Sequence, residues 1–513
     1  MILKKHMFNH HRNQKLGLVL LLSVFLLLVN VFHIHHPILS TPLVEIHGFR
    51  QTQTAVVSKN YHKNGIDLFE AEINSYGIGK ERKILLEMPI YQAFVSTLYK
   101  VFGEYTSVGR VLSLLSHLLG VFALYKILSI ISKNDDFSFL TAIAYLFLPL
   151  NLIYSKAFLG DTMAISLALF GMLMLLLSFN TKNNHILSII SLLCITSSIL
   201  IKPFYAPILA IPLSYYCLQT KKIKNLLKVF SVFGLAIVIL FAWQTYSEQY
   251  NEVHGHSWFS LKNPSYRYWT FGDVQMRLSL DEWIHRLRLV FFVWANPLVY
   301  LVMLILLGCG LFTYIKSFLK SQFSKFILIW IITGVLYWIV IFKMLNHSYY
   351  ALPLTPIISI IIAHSLTFFA DAIKSKTTFS HRSIQVSIAL SYCFAMSFFY
   401  LKLSGISPYG YDQYTIANKI RQNTEKDSNV LLLSKNANWS SVIPFYSERK
   451  TLSLSEDYKS HYDYPLFERD RPHYQYFAIL DPENMPQLDI EESGSLIHQS
   501  DLLKLYEFDR NKL

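Results

Sequence analysis

The residues best suited to chemistry gather in one segment: Glu45-Ile-His47-Gly-Phe-Arg50-Gln51-Thr-Gln53-Thr54, followed at some distance by Glu87-Met-Pro89-Ile-Tyr91. A carboxylate, an imidazole and a guanidinium within six positions can take a proton, orient a base and stabilise developing negative charge. Further along come Tyr154-Ser-Lys156 and Asp161, then Lys202-Pro203, then Lys343 and His347-Ser-Tyr349-Tyr350-Ala-Leu-Pro353. Each of these lies at the margin of a long apolar run. Charged residues at such margins are costly unless they work or reach water, so each has two readings: a substrate contact, or a side chain snorkelling from a helix end.

These groups must be positioned by an unusual chain. Its 513 residues are 53% hydrophobic and 15% charged, with a mean hydropathy of +0.34. Soluble domains carry about a quarter charged residues, which excludes a single soluble domain and a disordered chain. Eleven apolar stretches can be marked, at 16–33, 108–131, 137–153, 162–178, 186–201, 204–218, 229–245, 289–315, 326–342, 350–370 and 383–401. Most approach the roughly 20 residues a helix needs to cross hydrocarbon. The first is too long for a signal peptide and no small-residue cleavage site follows it, so it is read as an anchor. Pro203 and Pro207 leave open whether the stretches on either side of them are two helices or one broken helix.

The formal net charge of +13 is unevenly spread. Residues 402–513 hold 13 Lys and Arg against 17 Asp and Glu, and residues 1–401 hold 33 against 16, giving −4 and +17. Alternating the spans puts Lys4, Lys5, Arg12 and Lys15, the cluster Lys221, Lys222, Lys224 and Lys228, and Lys374, Lys376 and Arg382 on one side. By the positive-inside rule that side is the cytoplasm. The other side receives the loops 34–107 and 246–288 and the tail 402–513. Basic residues scattered among cytoplasmic loops, rather than gathered on one domain, disfavour nucleic-acid binding.

The expected organisation is a basic cytoplasmic N-terminus (1–15), a transmembrane region (16–401) and an extracytoplasmic tail (402–513). In the tail, Val430–Leu433 and Tyr476–Leu480 are apolar runs bounded by turn residues and read as strands, and 411–426 reads as a helix. A small α/β domain follows. Within the first loop, 54–61 reads as a short helix at the membrane surface. Cys194, Cys217, Cys309 and Cys393 lie in or at the edge of spans, so no disulfide framework is available. His254-Gly-His256 offers two imidazoles but no third ligand at a recognisable spacing, so the sequence requires no cofactor and leaves a divalent metal open without predicting one.

The order His-x-Phe-Arg-Gln-x-x-Thr-Ala, then Glu-x-Pro-x-Tyr, then Lys156 to Asp161, Lys202-Pro203 and the His347–Pro353 segment resembles the bacterial membrane glycosyltransferases related to protein mannosyltransferases and lipid A aminoarabinose transferases. The resemblance covers roughly residues 15–370. It implies the GT-C fold, a polytopic α-helical protein of about eleven spans, in a bacterial inner membrane. It implies transfer of a sugar from a polyprenyl-phosphate carrier to an acceptor hydroxyl of a lipid, glycan or protein at the periplasmic face. Members often place an Asp-Glu pair in the first loop, where this chain has Arg50-Gln51. The base is then Glu45, with His47 as orienter or alternative base, and Glu87 helps shape the site or serves as a helix N-terminal acid. Asp161 is assigned to the substrate site, and Lys156 stands where the family commonly has Arg. Lys202, Arg267 and Lys343 are the expected holders of the carrier phosphate, with His347, Tyr349 and Tyr350 lining the same cavity. Two other readings remain: a flippase or transporter of lipid-linked sugars, and an O-antigen polymerase or ligase. A transporter should show internal repeats and charges at mid-membrane depth, and neither is evident.

The topology is directly testable. Alkaline phosphatase fused after residue 513 should be active in the periplasm; activity confined to the cytoplasm would overturn the outer placement of every loop named above.

Overall fold

An apolar run surrounded by hydrocarbon must satisfy every backbone N–H and C=O within itself, which makes it a helix. The computed structural model describes residues 21, 22, 25, 41–179, 184–290, 297–317, 321–403, 408–435 and 440–509. The expected first span, 16–33, falls outside the described residues but for three positions, and so does the basic N-terminus. The helices in chain order begin with α1 (Gly48–Asn64), α2 (Ile90–Phe102), α3 (Thr106–Ser132), α4 (Asp135–Leu146), α5 (Pro149–Ser155) and α6 (Asp161–Ser178). Next come α7 (Asn184–Ile201), α8 (Pro207–Gln219), α9 (Ile223–Val253), α10 (Pro264–Phe271), α11 (Val274–Leu278) and α12 (Leu280–Val290). The series ends with α13 (Pro297–Ser317), α14 (Gln322–Val340), α15 (Thr355–Lys374), α16 (His381–Leu403), α17 (Pro408–Asn423), α18 (Val442–Ser447) and α19 (Tyr464–Asp470). Six helices are long and apolar enough to cross a bilayer, or up to seven if α4 and α5 form one bent span. The protein is therefore multi-pass, while the number eleven is not reached on this measure among the described residues.

The chain divides into two compact units. Among the described residues, the first comprises Leu21, Leu22 and Phe25 with those of 110–245 and 260–404. In it α6 packs on α7, α8 on α14, and α15 on α4, α13 and α16. Phe230, Val238 and Phe241 of α9 point outward at more than 60% exposure. In water such a row would be a liability; against acyl chains it is the expected surface. Small residues set the closest approaches. A Cβ on Gly310 of α13 would sit 2.1 Å from the backbone oxygen of Ile361 in α15. A Cβ on Gly171 of α6 would meet Ile195 of α7 at 2.9 Å. Both follow the rule that membrane helices associate through small residues.

Local chemistry fixes the break that matters most for the site. Asn134 caps α4, its side chain accepting from the N–H groups of Asp136 and Phe137 at 3.1 Å each. Fifteen residues on, Pro149 removes an N–H and forces Leu148 into an extended conformation (ψ 130°). The axis turns by 59°. The Asn151 amide donates to the Tyr145 carbonyl at 2.7 Å and satisfies one of the groups the break would orphan.

The second unit comprises 41–109, 246–259 and 405–513. Its sheet has five strands: β1 (Asn429–Leu433), β2 (Lys450–Leu454), β3 (Tyr476–Leu480), β4 (Gly494–Ser500) and β5 (Leu503–Phe508). Their order is β2-β1-β3-β5-β4. β1 is parallel to both β2 and β3, and β5 is antiparallel to β3 and β4. Alternating side chains of β1 enter two cores. Leu431 and Leu433 join Phe477, Tyr506 and Phe508, and Val430 and Leu432 join Ile416 and Ile420 of α17. Burial on both faces explains why β1 reads as an unbroken apolar run. The two strands and the helix expected in the tail are present, while β2, β4 and β5 were not anticipated.

Within the same unit α1 is longer than the 54–61 helix expected, starting at Gly48, and packs against α2 and α18. It is polar in composition yet largely buried. Thr52, Thr54 and Ser58 solve this by donating back to the carbonyls of Gly48, Arg50 and Thr54 at 2.8–3.0 Å.

Two glycines of α13 provide a paired test. Gly310→Ala should lower the unfolding temperature of the protein in detergent, by the equivalent of about 1–3 kcal/mol of overpacking. Gly308→Ala meets nothing within 4 Å among the described residues and should be neutral or slightly stabilising. Equal effects would contradict the close α13–α15 contact.

Candidate functional site

The first unit contains a buried polar assembly at the ends of apolar helices. Asp161 opens α6 in the position where an acid meets the helix dipole, and it is 2% exposed. Lys202, just beyond α7, is 4% exposed, with its Nζ 3.6 Å from Asp161 Oδ1. The same oxygen lies 2.7 Å from the Tyr205 hydroxyl, which also stands 2.6 Å from the carbonyl oxygen of Tyr349. The Lys202 ammonium sits over the rings of Tyr349 and Tyr350, 5.0 and 5.2 Å from their centroids. Tyr154 and Ser348 share a hydrogen bond of 2.7 Å, and Thr162 donates to the Tyr154 carbonyl at 2.8 Å. Expected residues from three separate stretches, Asp161, Lys202 and Tyr349-Tyr350, thus meet in one place.

Each partner has a physical reason to be there. A buried ammonium and a buried carboxylate are each costly alone, and together they halve the problem without removing it. Tyr205 supplies a neutral donor to the carboxylate, and the two tyrosine faces supply quadrupole attraction to the cation. The Pro203 and Pro207 positions end α7 and begin α8, so the five residues between the helices turn and bring Lys202 and Tyr205 to the same carboxylate.

The other expected residues of this unit divide. His347 stacks on Tyr349, with centroids 5.5 Å apart and planes 7° apart, and tilts against Trp269 at 5.9 Å. Lys343 lies over the Tyr268 ring at 3.4 Å. Burial holds its ammonium below the ordinary lysine value; Asp273 opposes the shift and Arg286 adds to it. Lys156, at the end of α5, is 3% exposed and lies over the Tyr400 ring at 5.3 Å. Arg267 on α10 is exposed, and its guanidinium has no partner among the described residues.

Two residues that the sequence reading did not single out stand beside these. Tyr205 links Asp161 to the Tyr349 backbone. Arg286, fully buried, binds the Glu282 carboxylate, donates to the Phe342 carbonyl at 2.6 Å and packs over the Phe342 ring at 4.2 Å. It therefore holds the backbone immediately before Lys343. A signal was present in the sequence: Glu282 and Arg286 are four residues apart, a spacing that brings them together on a helix.

The second unit holds the first-loop residues. Arg50 binds the Glu87 carboxylate and the Gln53 amide oxygen. Gln51 is buried and donates to the Ile46 carbonyl at 3.0 Å. His47 precedes α1 in the left-handed region (φ 54°), with its ring edge-on to Phe49 at 6.1 Å. This conformation is uncommon for a residue with a Cβ. Glu45 accepts the Gly48 N–H at its carbonyl, 2.9 Å away, which closes the turn into α1. Lys59, on α1, pairs with Glu104 at 3.0 Å and Glu448 at 3.7 Å. His256 is engaged with the Glu81 carbonyl, and His254 with that of Tyr250.

No family model and no curated protein matches the chain. Solved structures do. ArnT from Cupriavidus metallidurans bound to undecaprenyl phosphate superposes with a TM-score of 0.64 at 13% identity, covering 96% of this chain and 97% of that one. Its apo form gives 0.61 at 12% identity, covering 98% and 99%. The Archaeoglobus fulgidus oligosaccharyltransferase, in a complex with zinc and sulfate, gives 0.54 at 13% identity, covering 90% of this chain and 67% of that one. All are GT-C fold glycosyltransferases, and the fold here is theirs.

The Asp161–Lys202 pair makes a thermodynamic prediction. Asp161→Ala and Lys202→Ala should each destabilise the protein by about 3–5 kcal/mol, because each leaves the other charge buried without its partner. The double variant should cost clearly less than the sum. Additive losses in detergent unfolding would show that the two charges are not coupled.

Proposed function

We propose that this chain is a glycosyltransferase that moves a sugar from a polyprenyl-phosphate carrier to an acceptor hydroxyl at the outer face of a bacterial plasma membrane. In this reading it has eleven spans, a cytoplasmic N-terminus and a periplasmic tail. The observation that carries it is Lys202: an almost fully buried cation, backed by Asp161, Tyr205 and two tyrosine rings, at the end of an apolar helix. A cation in such a place costs stability, and a lipid-borne phosphate is a ligand that would repay it. The shared fold with a protein solved with undecaprenyl phosphate supports the same reading.

The chemistry is a displacement at the anomeric carbon. The acceptor oxygen forms a bond to that carbon as the bond to the carrier phosphate breaks, and the acceptor proton passes to a base. The leaving phosphate gains charge and needs cations. Lys202 supplies one, and Lys343 and the exposed Arg267 are assigned to the same phosphate. Lys343 bears a lowered proton affinity and is positioned through Arg286. Lys156 contributes further positive charge, and Asp161 fixes Lys202 and the sugar side of the site. His347, Tyr349 and Tyr350 offer flat faces to a sugar or prenyl chain. Glu45 is the base, with His47 as its orienter or substitute; Glu87, Arg50 and Gln51 hold the start of α1 in place. No metal or other cofactor is needed by these steps.

Purified protein in nanodiscs, given a panel of labelled undecaprenyl-phosphate sugars and membrane acceptors, should transfer label. Glu45→Gln should reduce transfer by about 100-fold or more while the protein stays inserted and folded. Lys202→Arg, which keeps the charge and loses the fit, should raise the apparent KM for donor more than it lowers kcat. Full activity of the first variant would remove Glu45 as base, and unchanged donor dependence in the second would remove Lys202 from the phosphate site.

A further inference from the structure

The second unit contains a cavity of about 360 Å³ that the proposed transfer does not use. It is lined by the last turns of α1, by the segment 72–82, and by the turn before β1 together with the start of β2. Six cationic side chains face it, Lys59, Lys63, Arg82, Lys426, Arg449 and Lys450, against three acids, Glu72, Asp427 and Glu448.

Internal pairing accounts for only part of this charge. Arg82 is bound to Glu72, and Lys59 to Glu104 and Glu448. Arg449 spends its guanidinium on the Thr424 hydroxyl and on the carbonyls of Ser447, Arg421 and Thr424. That leaves Lys63, Lys426 and Lys450, none with an ion-pair or hydrogen-bond partner for its ammonium among the described residues, facing Asp427 and a Glu72 already committed to Arg82. Lys63 has an ordinary explanation, since a lysine in the last turn of a helix complements the dipole. Lys450 has no such explanation. It begins β2, it is half-buried, and burial followed by the charge of Arg82 holds its ammonium below the ordinary lysine value against the opposing charges of Glu72 and Asp427. A fold that keeps a lysine desolvated beside a guanidinium has left a place for negative charge.

Size and lining narrow the ligand. The volume lies at the lower end of the ~300–1,000 Å³ of small-molecule pockets, which is more room than a bare phosphate fills. Asn64 and Asn74 provide amides suited to hydroxyl groups; Asn60, whose amide donates to the Glu72 carbonyl at 2.8 Å, offers its oxygen, and Phe445 backs the wall with the Lys59 ammonium 5.0 Å over its ring.

We propose that this cavity binds a phosphate monoester carrying a sugar-sized polar body, with Lys450, Lys426 and Lys63 on the phosphate and the asparagines on the hydroxyls. The phosphate is held through lysines that act as point charges, so affinity falls as salt rises. The site is independent of the transferase reading: binding here is read without any transfer reaction.

Full-length protein in nanodiscs of neutral phosphatidylcholine, titrated calorimetrically with glucose 1-phosphate, inorganic phosphate and glucose, provides the test. Glucose 1-phosphate should bind saturably and at least tenfold more tightly than inorganic phosphate, and glucose should not bind measurably. Lys450→Gln should weaken glucose 1-phosphate at least tenfold. The Lys63→Gln, Lys426→Gln double variant alters only exposed side chains and should do the same with an unchanged unfolding temperature. No saturable binding by the wild type, equal affinity for inorganic phosphate and the sugar phosphate, or unchanged affinity in both variants would each overturn the proposal.

Discussion

The first unit depends on one constraint: an ammonium and a carboxylate removed from water must be satisfied where they stand. Lys202 and Asp161 are each less than 5% exposed, in surroundings made of apolar helices. Neither could be accommodated singly at an acceptable cost. The pair needs the ends of two helices to coincide, so it needs the turn between α7 and α8, the first turn of α6 and the Ser348–Leu354 segment to be held in register. Tyr205 completes that register by touching both the carboxylate and the Tyr349 backbone. Such a polar cluster is poor evidence for stability, since an apolar replacement would do as well or better.

Much of the architecture was legible in the chain because the relevant signals are local. The apolar runs that form the long helices, and the short unbroken runs of β1 and β3, depend on neighbouring residues, and both strands are where the sequence placed them. The edge strand β4 was missed for a physical reason: Leu496 and Ile497 are more than a third exposed and its pattern is broken by a bulge between Leu496 and His498. The early start of α1 was missed because its residues are polar, and their satisfaction depends on Thr and Ser back-bonding that composition does not reveal.

The site was legible in its residue types more than in its pairings. In the sequence the nearest cation to Asp161 is Lys156, five positions before it, whereas its ion pair is with Lys202, forty-one positions on. Spacing along a sequence predicts partners only within one helix or strand; across elements, the turn geometry decides. Arg286 escaped for the opposite reason. It lies in a segment dense in charge, where a single arginine looks like solvated surface, and only its burial against Phe342 distinguishes it.

Net charge behaves the same way. The tail carries −4 and the segment 41–109 holds seven basic and seven acidic residues, so the composition of the second unit suggests affinity for nothing anionic. The folded unit nevertheless concentrates lysines from both stretches around one cavity while many of its acids are committed elsewhere, Glu81 to Arg469 and Glu491 to Tyr506 and Lys504 among them. Local potential is set by which charges remain uncompensated within about a Debye length of ~8–10 Å, not by the sum over the domain. A unit that is acidic overall can therefore present a cationic pocket, and overall acidity also suppresses nonspecific adsorption of anions to the rest of its surface.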